Sequence, residues 1–204
     1  MTHPSPSRRD GEATRQRLLR AALDLYTTVG FRATTTPAIA ARAGVAEGTI
    51  YRHFSGKEHL LNEVFRGAQQ WGMALLNQTE GERPLPPAER LQQFAQRLFD
   101  AAAGDPSQTR MLLRGRDEQH LDEHSRESAR AFHGALRQVF EAGGGHSPIR
   151  PGPADLWAEL WLALMAFAAE RISAREWARD SPQTALTLEA AWDAIAKPAV
   201  SSAP

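Results

Sequence analysis

The chain has 204 residues, 42 % of them apolar before its 15 glycines are counted, which is enough for a substantial core and excludes a low-complexity polypeptide. It contains no cysteine, so a disulfide framework and a cysteine zinc site are both excluded, and a reducing compartment, the cytoplasm, is expected. Basic and acidic residues balance at 24 each, but residues 1–66 hold 10 basic against 6 acidic and residues 67–204 hold 14 against 18, which places any phosphate-binding surface near the N-terminus.

Met1 to Asp10 is rich in Pro, Ser and Arg and has no apolar stretch; it reads as a disordered arm rather than a secretory signal. From Thr14 to Val29, Leu19, Ala22, Leu23 and Tyr26 recur at three- and four-residue steps and make one apolar helical stripe, which Gly30 ends. Two short helices separated by Gly44 follow, over about residues 35–54. Thr35 can cap the first, and Pro37 is tolerated there because first-turn amides have no partner within the helix. Ala40, Gly44 and Ile50 each have a steric reason: a small residue lets the helices approach, Gly takes the left-handed turn conformation, and Ile fills the gap. Ser55-Gly56-Lys57-Glu58 reads as a capping box opening a long helix with Leu60, Leu61, Val64, Phe65, Ala68, Trp71 and Leu75 on its apolar side.

Gly81 to Pro87 breaks that helix, and further helices are expected at 88–103, 106–114, 120–142, 153–180 and 183–196, with a flexible loop from Gly143 to Pro153. No run alternates well enough for a strand, so the fold is expected to be all-α. Leu156 to Ala169 carries one charge, Glu159. It is too short to span a bilayer, so no membrane partner is expected, and burial on two sides points to a subunit interface through the last two helices.

Three features in order, Val29-Gly30-Phe31, Gly48-Thr49-Ile50-Tyr51-Arg52-His53-Phe54 and Ser55-Gly56-Lys57-Glu58-His59-Leu60-Leu61, resemble the DNA-binding domain of the TetR family of bacterial regulators. The resemblance covers Arg15 to Leu61 and implies a three-helix, helix-turn-helix domain over 11–66, after an arm over 1–10. A long helix would join it to a helical ligand-binding and dimerisation domain over 67–204. It implies a transcriptional regulator and not an enzyme: a homodimer that represses at a palindromic double-stranded operator and is released by a small, largely apolar inducer, without a cofactor. A ligand-independent DNA binder is the alternative.

In such a motif the second helix enters the major groove. The DNA-facing set is then Thr35, Thr36, Glu47, Gly48, Thr49, Tyr51, Arg52, His53 and Lys57, with Ile50 and Phe54 turned inward. Arg52 is the expected base reader, because a guanidinium fork matches the paired acceptors of guanine. Thr49 suits a thymine methyl or a phosphate. By family analogy Tyr51 and His53 contact phosphate, and Lys57 pairs a point charge with free first-turn amides. Pro37, Ala38, Ala46 and Glu47 depart from the family's usual residues. Ala46 forgoes a side-chain cap, and Glu47 can accept from cytosine while repelling phosphate.

His120-Leu121-Asp122-Glu123-His124 fits a metallopeptidase spacing that would put two imidazoles on one helical face, but its polar flanks offer no dry cavity or third ligand. A metal-dependent hydrolase using His120 and His124 is therefore the remote alternative, and no metal site is assigned. Phe94, Leu98, Met111, Phe132, Trp161 and Met165 are the expected lining of an apolar inducer pocket.

Overall fold

A computed structural model describes residues 8–78, 85–114, 118–142 and 148–197. Those residues are helical apart from connections and one isolated β-bridge, between Ile149 and Ala196. The first helix, α1 (Arg8–Thr28), begins earlier than its apolar stripe, so Arg8 to Asp10 are helical rather than part of an arm. Residues 1–7 lie outside the described residues. Leu18, Ala22, Leu23 and Tyr26 form its buried stripe, while Leu19 is only half-buried. Gly30 stops it at φ 89°, a conformation in which a side chain would be strained.

Helix α2 (Thr36–Ala43) is capped by Thr35, whose hydroxyl accepts from the Ala38 amide at 3.3 Å. Gly44 (φ 67°, ψ 39°) ends it in the left-handed region. The second motif helix is a 3₁₀ helix of six residues, Glu47–Arg52, and Ala46 caps it with no side-chain bond. Ile50 and Phe54 are buried against α1 and α2, as their spacing requires.

The long helix α3 (Lys57–Asn77) starts without the expected capping box. Gly56 takes the cap position, and Ser55 turns to His59 instead: its amide donates to His59 Nδ1 at 3.2 Å and its hydroxyl lies 3.4 Å from the same nitrogen. Four helices follow closely on their expected spans or with one boundary moved, namely α4 (Pro87–Gly104), α5 (Pro106–Arg114), α6 (Glu123–Glu141) and α8 (Pro182–Ile195). Helix α6 begins at Glu123 because Asp122 accepts from the Ser125 amide at 2.8 Å, an N-cap that separates it from a short 3₁₀ turn, Glu118–His120. Helix α7 (Ala154–Ser173) is shorter than expected. Arg175 adopts φ 62°, and the amides of Arg175 and Glu176 turn back to the carbonyls of Ile172 and Arg171 at 3.0 Å each. That is a Schellman stop made with Arg rather than Gly.

In the body, α3 packs on α5 and α6, and α4 on α7, around Phe94, Phe132, Phe140 and Trp161. The Phe94 ring lies 6.2 Å from Phe132 and 5.9 Å from Trp161, centroid to centroid. Gly72 allows α3 this approach: a Cβ there would fall 2.8 Å from a Leu112 methyl and 3.1 Å from the Phe132 ring. Leu156, Leu160 and Phe167 of α7 and Leu186 of α8 remain exposed. Among the described residues no helix is long and apolar enough to cross a membrane.

Candidate nucleic-acid interface

The surface opposite Ile50 and Phe54 gathers most of the expected DNA-facing set. Thr35, Glu47, Gly48, Tyr51 and Arg52 are exposed, while Thr36, Thr49, His53 and Lys57 are half-buried. The Tyr51 hydroxyl reaches Thr36 Oγ1 at 3.3 Å, so the two motif helices are tied together on the outward side as well as through Ile50. Beneath, the Tyr26 hydroxyl donates to the Lys57 carbonyl at 2.7 Å, and burial pushes its pKa far above the phenolic value, keeping it a donor.

Lys57 has a role the sequence did not disclose. Its ammonium donates to the carbonyls of Phe31 and Thr34, each at 3.2 Å, and sits 4.5 Å from the Phe31 ring centroid. Two of its three N–H donors thus hold the α1–α2 connection onto the start of α3. The body also reaches that junction: the His120 ring lies against Phe31, tilted by 43° with centroids 4.4 Å apart.

Along α3, Asn62 is buried and bridges to the α5–α6 connection, donating to the His120 carbonyl at 2.9 Å and accepting from the Asp122 amide at 2.8 Å. Arg66 joins Glu63 (2.6 Å), Asp122 (3.1 Å) and Ser125 (3.0 Å), and Arg15 of α1 also pairs with Glu63. Burial raises the Glu63 pKa, but the hydrogen bonds and charges of Arg66 and Arg15 outweigh it and hold the carboxyl below its ordinary value. At the far side Arg20 of α1 pairs with Asp105, at the α4–α5 corner.

The two histidines of the metallopeptidase spacing are not on one helical face. The Asp122 cap divides them: His120 faces Glu58 at 3.4 Å, and His124, on α6, faces Glu127 at 3.6 Å. Among the described residues no three His, Asp or Glu side chains gather as metal ligands.

The expected pocket residues also need correction. Phe94, Leu98, Met111, Phe132, Trp161 and Met165 are packed core, with at most 6 % of any of them exposed. Their bulk fills the interior instead of surrounding a space. A cleft of about 730 Å³ lies beside them, walled by Phe65 and Gln69 of α3, Leu112 and Leu113 of α5, Ala129 and His133 of α6, and Leu162 and Ala166 of α7. Gln69 is 3 % exposed and its Oε1 has no hydrogen-bond partner. A polar residue one turn after Phe65 on an apolar stripe was the sequence signal for it.

Residues 18–64 match the sequence profile of bacterial regulatory proteins of the tetR family. Over 69 residues the chain is 41 % identical to the HTH-type transcriptional regulator YvkB of Bacillus subtilis, covering 34 % of this chain and 36 % of that one. Over 87 residues it is 36 % identical to the HTH-type transcriptional repressor KstR2 of Mycobacterium tuberculosis, covering 43 % of each. The chain thus spans less than half the length of these curated relatives. Over the whole fold it is similar to a putative TetR-family regulator from Vibrio parahaemolyticus (TM-score 0.69, 26 % identity, 91 % of this chain and all of that one). The complex of SmeT, from a protein described as the repressor of a Stenotrophomonas maltophilia efflux pump, with triclosan shares the fold at TM-score 0.67 and 20 % identity, over 94 % of this chain and 98 % of that one.

Proposed function

We propose that this chain, whose residues 18–64 match the tetR family of bacterial regulatory proteins, is a homodimeric transcriptional repressor released from a palindromic operator by a small molecule. One observation carries the reading: a single helix, α3, begins at the DNA-binding motif and forms a wall of the cleft. Its first residue, Lys57, holds Phe31 and Thr34, and about two and three turns on Phe65 and Gln69 face the open space. A molecule seated there touches the element that positions the motif. The triclosan complex of SmeT supports a ligand of modest size and apolar character.

In this proposal the 3₁₀ segment lies in the major groove, Arg52 reads a guanine, Thr49 meets a thymine methyl or phosphate, and Tyr51, His53 and Lys57 position the protein on the backbone. Thr35, Thr36, Glu47 and Gly48 complete the contact face. One motif reads a half-site, so two copies are needed, joined through α7 and α8, where Leu156, Leu160, Phe167 and Leu186 await a partner. Such a dimer works in the cytoplasm on double-stranded DNA. A ligand-independent DNA binder would have the same motif and an operator affinity indifferent to any small molecule.

Selection of bound duplexes from a random pool, followed by competition with small-molecule libraries, tests the proposal. The expected result is an inverted repeat with half-sites about 34–36 Å apart or a related spacing, and a compound that weakens binding. No preference over random DNA would overturn the DNA-binding reading, and release by no compound would leave the ligand-independent alternative.

A further inference from the structure

Beside the cleft lies a smaller cavity with a different lining. Leu113 and Ala166 line both the cleft and this second cavity of about 80 Å³, whose other walls are Thr109 and Arg110 of α5 and Ala169, Glu170 and Ser173 of α7. Thr109 is 1 % exposed, and its hydroxyl has no hydrogen-bond partner; the buried Ser173 hydroxyl has none either. Arg110 Nε lies 3.5 Å from a Glu170 carboxylate oxygen but makes no hydrogen bond. Buried hydroxyls on helices ordinarily bond back to a carbonyl one turn earlier, and buried polar atoms left single are rare and costly. Three on one small space require a common reason.

All three can donate, and the arginine nitrogen can only donate. Glu170, the acceptor on the same wall, already faces Arg110. The group that satisfies the set is therefore an acceptor oxygen, and the space exceeds the roughly 30 Å³ share of one water molecule, enough for a carboxylate or a carbonyl. The main cleft carries Arg126, Arg130 and Glu159 on its wall as well as Phe65, Leu112, Leu113 and Leu162, so an apolar body attached to that head fits along its α3 and α5 side.

We propose that Thr109, Ser173 and Arg110 form the head-group site for the inducer, and that the inducer is an amphipathic molecule whose oxygen-acceptor head enters this cavity while its apolar body lies in the cleft against α3. This rests on the ligand-responsive reading above and gives it a chemical class. It also accounts for the orphaned hydroxyls, because an acceptor oxygen seated in the cavity gives each of them a partner.

The test uses the full chain and three probes that share one tail, dodecanoate, dodecanol and dodecylamine, each below its micelle-forming concentration. Binding is followed by calorimetry and operator release by fluorescence anisotropy. The expected result is that dodecanoate binds at least about tenfold more tightly than the protonated amine, with dodecanol between them. Thr109→Val and Ser173→Ala should each weaken dodecanoate by about three- to tenfold and leave the amine unchanged. Thr109→Val should at the same time raise the melting temperature of the ligand-free protein, because it removes a buried unsatisfied hydroxyl; a merely structural Thr109 would give a lower one. Equal affinity for the three heads, no binding of dodecanoate, or indifference of dodecanoate to both substitutions would overturn the proposal. Release of the operator by the probes without head preference would sink the head-group site and keep the ligand-responsive reading. An operator complex that no probe or library compound disturbs would sink both.

Discussion

The Phe31 ring has one neighbour from its own domain, the Lys57 ammonium 4.5 Å from its centroid, and one from the body, the His120 imidazole 4.4 Å away. His120 belongs to the connection that leads into α6, and Phe31 to the turn that leads into the DNA-binding motif. The pair is thus a direct contact between the body and the reading head. His120→Ala should leave the fold and the unliganded operator affinity nearly intact while lowering the ligand-induced loss of affinity, by about 0.5–2 kcal/mol of coupling. Anisotropy titrations with and without inducer measure this. An unchanged ratio of the two affinities would show that the contact transmits nothing.

Arg52 and Lys57 should fail in different ways. Arg52→Ala is expected to cost about 1–3 kcal/mol at one base position and to relax preference there. Lys57→Ala should weaken all duplexes alike, reduce the salt slope by about one, and also lower thermal stability, because its ammonium holds the Phe31 and Thr34 carbonyls. Salt titrations on matched and mismatched duplexes separate the two, and a sequence-selective loss in Lys57→Ala would contradict its assignment.

Acid should loosen the joint between α1 and α3. Glu63 has a lowered pKa in the folded chain and a higher, ordinary one when unfolded, so its contribution is present above the unfolded value and is lost as pH falls toward the folded value. Asp122 and Asp105 shift in the same direction and add to the same window. Glu63→Gln should cost about 1.5–3 kcal/mol at neutral pH and flatten the decline on acidification. Urea denaturation across that range checks both parts.

Leu160 and Leu186 should govern assembly. They are 43 % and 62 % exposed on α7 and α8, and an aspartate at either introduces a charge that a dimer would have to bury. Leu160→Asp should sediment as a monomer with its helical content retained and lose most of its operator affinity. A variant that still sediments as a dimer would place the interface elsewhere.

Where a residue had a single steric reason, the chain announced its structure. Gly30 and Gly44 lie at positive φ, Ile50 fills the motif, and Thr35 caps α2, each as its type and spacing require. Ser55 misled because a capping pattern is only an offer of a hydrogen bond, and His59 took it. The α7 stop was hidden because it is made by Arg175 rather than glycine. Phe94, Phe132 and Trp161 misled for a deeper reason: large apolar residues at helical spacing look alike whether they fill a space or surround one. The cleft and the smaller cavity beside it are marked instead by Gln69, Thr109 and Ser173, polar residues whose significance depends on finding no partner, and absence of a partner is a property of three dimensions.

Asp122 both caps α6 and accepts from Arg66, while Asn62 grips the residues on either side of Leu121. Sliding α3 along its axis would break all of these at once, whereas tilting it about Asn62 stretches few of them. The helix is therefore a rocker on a fixed pivot. At 1.5 Å per residue, Gln69 lies about 10 Å to one side of that pivot and Lys57 about 7.5 Å to the other, so an outward push at the cleft arrives at the reading head as an inward one about 0.7 of its size.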